Sequence, residues 1–140
     1  MARLACRCMG LSSRKIEELA RARRAADLES LAALGAGAGC GTCRPELEEI
    51  LADVAGIPVA DSVRRANRAR NAVEAYRRVE TALFGGIAAR LPPGTRVELV
   101  SVDGLRVELH VAANDLPEVR ALVAERLMKL VCSELEVVFG

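Results

Sequence analysis

Five cysteines occur in the 140-residue chain, and four of them stand in two close pairs. The first is Cys6-Arg7-Cys8; the second is Cys40-Gly41-Thr42-Cys43, inside the run Gly35 to Pro45 (GAGAGCGTCRP). Thiolates are soft metal ligands, and two pairs separated by about one helical hairpin can converge on one centre. The interspersed glycines leave backbone N–H groups able to point at sulfur. These residues support a 2Fe-2S cluster site. A structural zinc ion would also accept four thiolates and is the alternative, although the glycine loop is superfluous for zinc and useful beside bridging sulfides. A set of buried cysteines holding no metal is the third reading.

Nucleotide readings of the glycine loop fail on spacing. A dinucleotide fingerprint needs a third glycine three residues after the second, where counting from Gly35 or Gly37 gives Cys40 or Thr42, and a phosphate loop needs a Gly-Lys-Ser/Thr that is absent. Cys132, near a helix end in apolar company, reads as a small buried hydrophobe, and His110 as a surface residue on the polar side of a strand. No nucleophile and base, carboxylate pair or second metal motif appears, so the expectation is a protein that is not an enzyme.

The elements that would position the cysteines follow from capping and periodicity. Were Cys6-Arg7-Cys8 a regular strand, its sulfurs would face opposite ways, so a turn or loop is expected there. Ser12 or Ser13 opens a helix with Ile16, Leu19 and Ala20 at helical spacing. Asp27 caps a second, with Leu28, Leu31, Ala32 and Leu34 on one face, and Gly35 ends it. Pro45 starts a third, with Glu46, Glu48 and Glu49 at the positive end of its dipole and Leu47, Ile50, Leu51 and Val54 as its stripe; Gly56-Ile57-Pro58 stops it. Both cysteine pairs thus lie just upstream of helix starts, where an anionic cluster is favoured.

Ala60 to Leu91 predicts one long helix, capped by Asp61 or Ser62, with Val63, Ala66, Ala69, Val73, Tyr76, Leu83 and Ile87 as its apolar side. Arg64, Arg65, Arg68, Arg70, Arg77 and Arg78 form a solvated face, and Gly85-Gly86 is a possible break. The period then changes: Val97 to Val102, Asp103-Gly104 and Leu105 to Val111 predict a hairpin with a bulge at Leu99-Val100. Asn114 or Asp115 caps a helix with Val119, Leu122, Val123, Leu127, Leu130 and Val131 inward, and Leu135 to Phe139 returns as a third strand. The fold class expected is α+β. Residues 1–58 are expected as an all-α domain of three short helices, and 59–140 as a linking helix and a three-stranded sheet with helices on one face.

Cys6-x-Cys8, Ser12-Ser13, and Gly39-Cys40-Gly41-Thr42-Cys43-x-Pro45-Glu46 resemble the bacterioferritin-associated ferredoxin type of 2Fe-2S domain, also found within the nitrogen-fixation scaffold protein NifU. The resemblance spans about residues 4 to 56 and implies Cys6, Cys8, Cys40 and Cys43 as the four ligands and a helix-turn-helix arrangement for the domain. Residues 72 to 139 are similar in pattern to the C-terminal scaffold domain of NifU-type proteins, chiefly at Val97 to Gly104. That family carries a Cys-x-x-Cys between its second strand and the next helix, where this chain has Val111-Ala112-Ala113-Asn114-Asp115. The resemblance therefore implies a ferredoxin unit joined to a degenerate scaffold domain kept for docking or dimerisation.

Net charge +1 gives no case for nucleic acid or anionic membrane as a partner. The charge is uneven: residues 57 to 95 carry seven basic and three acidic side chains, and 96 to 140 carry five and eight. A partner guided by charge would meet the middle. No signal peptide or run long enough to span a bilayer is seen, so a cytoplasmic location is expected, where paired cysteines more often bind metal than form disulfides. The expected partner is a redox or iron-sulfur assembly protein, with a homodimer possible.

Overall fold

The computed structural model describes residues 2–7, 9–36 and 43–140. Cys8 and Cys40, with the rest of the glycine loop from 37 to 42, lie outside the described residues. Helix and sheet are mixed, as the α+β expectation has it, and two buried cores organise the chain.

The first core is built by three capped helices. α1 (Ser13–Arg23) begins at Ser12, whose hydroxyl accepts from the Lys15 N–H at 3.1 Å, and buries Ile16 and Ala20. α2 (Leu28–Ala33) begins at Asp27, which accepts from the Ser30 N–H at 2.8 Å. α3 (Arg44–Ala55) carries Pro45 in its first turn and ends at Gly56, where φ is 73° and the Ile57 N–H reaches back to the Ala52 carbonyl at 2.8 Å. The all-α expectation needs correction: β1 (Leu4–Cys6) and β2 (Leu11–Ser12) pair antiparallel, Leu4 opposite Ser12 and Cys6 opposite Leu11. This short ladder fixes Cys6 on a sheet edge and leaves Arg7 in the turn that follows.

α4 (Asp61–Ala82) joins the two cores, and it does not present the face expected of it. Val63 and Val73 are about half exposed and Ala66 and Ala69 also face outward, whereas Asn67, Asn71, Ala75, Val79 and Ala82 are buried. Burying asparagine costs little when each amide has an acceptor. Asn71 donates to the Leu4 carbonyl at 2.7 Å, and Asn67 to Glu49 Oε1 at 3.1 Å and the Pro45 carbonyl at 3.3 Å. Neither Asp61 nor Ser62 caps the helix; the cap position is Ala60, with no side-chain hydrogen bond. Gly85-Gly86 does not break the chain but widens one turn to a π-helix (Leu83–Ile87), followed by a 3-10 turn (Ala88–Arg90).

β3 (Arg96–Asp103) and β4 (Arg106–Ala112) form the expected hairpin, with the register slipping between Leu99 and Ser101, so Val100 is the bulge. Asp103 pairs with Arg106, which makes Gly104-Leu105 the two-residue turn; Gly104 takes the positive φ, 63°, that the first position of such a turn requires. α5 (Leu116–Leu130) crosses back to β5 (Glu136–Phe139), which lies parallel to β4, giving the order β3-β4-β5. Val107, Leu109 and Val111 face α4 and α5 in the second core with Val79, Leu83, Ile87, Val119, Val123 and Leu127. Leu130, expected inward, is half exposed because the helix ends there and Val131 takes the buried place. Among the described residues no helix is long and apolar enough to cross a membrane.

Backbones of the two core regions approach closely at two glycines. Gly10 has φ 67°, and a Cβ there would lie 2.3 Å from the Val131 carbonyl oxygen. A Cβ on Gly104 would lie 2.9 Å from the Ala2 carbonyl oxygen. Leu4 reaches out of β1 into the second core, while Ala5 and Cys6 belong to the first.

Candidate metal centre

Cys6, the last residue of β1, and Cys43, at the residue before α3, are both buried in the first core. The two segments are brought together by a hydrogen bond across 36 positions of sequence: the backbone N–H of Arg7, next to Cys6, donates to Cys43 Sγ at 3.2 Å. The Cys43 carbonyl accepts from the N–H groups of Glu46 and Leu47 at 3.1 Å, so its side chain sits at the positive end of α3. A backbone N–H aimed at sulfur and a helix N-terminus both favour thiolate over thiol. The donor set and its hydrogen bond fit a thiolate-ligated cluster, which Cys6 and Cys43 would help to hold.

Cys8 and Cys40, the other two expected ligands, lie outside the described residues, and among the described residues alone no group of three or more His, Cys, Asp or Glu is arranged to hold a metal. Cys132 is in the second core, with its backbone beside the Gly10 turn. Burial pushes its thiol pKa up, and the Glu134 charge adds to this against an opposing backbone hydrogen bond, as suits a packed hydrophobe. His110 is exposed, its Nδ1 3.2 Å from the Gly140 carbonyl.

Behind the two cysteines lies a buried ion network that sequence reasoning missed. Glu46 and Glu49, expected only as acids at the positive end of the α3 dipole, are each about 3% exposed. Glu46 accepts from Arg3 Nε at 2.8 Å and Arg7 Nη1 at 3.3 Å. Glu49 accepts from Arg68 Nη2 at 2.8 Å, Asn67 Nδ2 at 3.1 Å, Arg3 Nη2 at 3.3 Å and Arg64 Nη1 at 3.4 Å. Arg64 also clamps Asp53 through Nη2 at 2.5 Å. Arg7 Nη2 completes the set by pairing with Glu74. Arg64 and Arg68 are therefore not simply a solvated face; they tie α4 to α3. Burial pushes the Glu49 carboxyl up, but hydrogen bonds from Arg68 and Asn67 and the charges of Arg68 and Arg3 more than reverse this and hold it below the ordinary value. Asp53 is lowered chiefly by the Arg64 hydrogen bond. A usable signal was present: Glu46 and Glu49 at i, i+3 share a face of α3 with the apolar Ile50, and Arg64-Arg68 and Asn67-Asn71 repeat at i, i+4 on the next helix.

No curated protein and no solved structure shows a significant match to this chain. A family model does match the segment that carries both cysteine pairs. Residues 4–53 are similar to the BFD-like [2Fe-2S] binding domain, a family whose cofactor is the 2Fe-2S cluster expected from the cysteine pattern.

Proposed function

We propose that the chain is a 2Fe-2S protein that works as a one-electron carrier, or as an accessory in iron-sulfur cluster biogenesis, with no catalysis of its own. The observation that carries this reading is the convergence of the two cysteine motifs, with the Arg7 N–H directed at Cys43 Sγ inside a buried core. Cys6, Cys8, Cys40 and Cys43 are the ligands in this account. When bound, the cluster supplies reversible one-electron transfer. The chain's own groups do the rest: Cys6 and Cys43 enter from a core that excludes water, the α3 N-terminus and the Arg7 N–H stabilise negative sulfur, and the arginine-carboxylate network fixes the two strands of ligands against each other.

Residues 59–140, in the NifU-like reading, form the second domain. The β4–α5 connection, Ala113 to Asp115, has no thiol, so docking or dimerisation is the role assigned to it rather than cluster assembly. The partner is a redox or iron-sulfur assembly protein in the cytoplasm. The test mixes cluster-loaded protein with an apo-acceptor and follows the visible spectrum of each. A carrier retains its cluster; rapid transfer would assign the chain to scaffolding, and a colourless protein holding one zinc would reject both in favour of a structural-metal adaptor.

A further inference from the structure

Arg7 stands between two expected ligands, and its side chain is only 6% exposed. Its main chain donates to Cys43 Sγ, one guanidinium nitrogen meets Glu46 of α3, and the other meets Glu74 of α4. Glu74 lies outside the segment that matches the cluster-binding family. One residue thus touches a cysteine sulfur through its backbone and the following helix through its charge.

Among the described residues, the ion pairs around it join four guanidinium groups to four carboxylates. The guanidinium groups of Arg3, Arg7, Arg64 and Arg68 face the carboxylates of Glu46, Glu49, Asp53 and Glu74. Removing the Glu74 charge would leave Arg7, itself 6% exposed, less compensated at a poorly solvated position, where it acts strongly on neighbouring charges. Glu74 is also more open than its neighbours, at 29% exposed against 3% for Glu46 and 1% for Glu49. It is the carboxylate of Arg7 that a docking partner could reach.

We propose, on the 2Fe-2S reading above, that Glu74 acts through Arg7 as a positioning residue that holds down the reduction potential of the cluster and lets α4 sense its charge. A cluster held by the four cysteines would accept one electron from an external one-electron donor, one ferric ion becoming ferrous with no bond made or broken, and the site beside Arg7 would gain a negative charge. The Arg7 guanidinium favours that state, and the Glu74 carboxylate opposes it by compensating Arg7. Coupling between two such events is reciprocal. If Glu74 disfavours reduction, reduction weakens the Arg7–Glu74 junction by the same factor.

The test is a potentiometric titration of the full-length holoprotein, followed by visible absorption and electron paramagnetic resonance. Glu74→Gln raises the potential by about tenfold in the reduction equilibrium, which is about 59 mV for one electron. Arg7→Gln lowers it, Arg7→Lys stays near wild type because the charge is kept, and the double variant returns toward wild type. Hydrogen exchange gives the second readout: on reduction by dithionite, amides near residue 74 lose protection in wild type and lose less in Glu74→Gln. A purely structural junction would weaken cluster retention in every variant without opposite shifts of potential. Should Arg7→Gln fail to hold a cluster, Glu74→Gln against Arg7→Lys decides alone. Shifts of the same sign, or a Glu74→Gln potential within twofold of wild type, overturn the proposal. Wild-type protein without iron and sulfide overturns the cluster reading instead, so the two failures are distinguishable.

Discussion

Replacing Glu49 with glutamine probes the junction between α3 and α4 at its most buried charge. The Glu49 side chain is 1% exposed and meets three guanidinium groups and an amide. Breaking a buried ion pair by removing one partner costs about 3–5 kcal/mol. Three features reduce that here. Arg64 and Arg68 are 34% and 43% exposed and can rehydrate; Arg64 keeps Asp53, and Arg3 keeps Glu46. Glutamine also retains a carbonyl for Asn67. The expected loss is therefore about 2–3 kcal/mol, or roughly 6–12 °C in Tm for a chain of this size. Guanidinium chloride unfolding of the full chain, followed by circular dichroism, measures it, and hydrogen exchange should place the loss at the start of α3 and in residues 61 to 71. The pH dependence carries a sign. Because the folded-state pKa of Glu49 is lowered, its contribution is fully present above the unfolded value of about 4.3 and is lost as pH falls through the folded value. The gap between wild type and Glu49→Gln should accordingly be full at pH 7 and shrink below pH about 4. A change under about 0.5 kcal/mol at pH 7, typical of surface sites, or a gap that widens in acid, would refute the reasoning.

Other substitutions probe the remaining contacts. Gly10→Ala meets both a φ of 67° and a backbone oxygen 2.3 Å from the new Cβ, so the turn after Cys8 must move. Its expected cost exceeds about 1 kcal/mol, read as a lower unfolding midpoint, whereas the same change at Gly86, where a Cβ meets nothing within 4 Å, serves as the tolerated control. Asn71→Ala strands the Leu4 carbonyl and should cost about 1–3 kcal/mol, with β1 amides losing protection in hydrogen exchange. Cys132→Ala should leave the visible spectrum unchanged, since that thiol belongs to the second core; loss of colour would make it a ligand.

Capping residues made much of this architecture legible. Ser12, Asp27 and Gly56 satisfy local backbone groups, and Pro45 removes an orphan N–H from the first turn of α3, so their signals needed no tertiary context. The Val100 bulge was visible because alternation slips there and nowhere else in the hairpin. The buried side of α4 was not legible. Its apolar residues Val63 and Val73 face outward, while Asn67 and Asn71 face inward because their partners, Glu49 and the Leu4 carbonyl, lie 18 and 67 positions away. The same long-range pairing hid Glu46 and Glu49, which look like ordinary acids at a helix start until Arg3 and Arg7 arrive from the residue before β1 and the turn after it. As for the candidate site, residue types and spacing identified Cys6 and Cys43 as companions; the Arg7 N–H that joins them required the fold.

Whether sulfurs from both cysteine motifs hold one diiron cluster is decided by iron and acid-labile sulfide per chain in anaerobically purified wild type and Cys40→Ala. Two irons and two sulfides are expected in wild type, as for the BFD-like [2Fe-2S] binding domain to which residues 4–53 are similar, and neither in the variant. Zinc in place of iron, or an undiminished cluster in Cys40→Ala, would contradict that expectation.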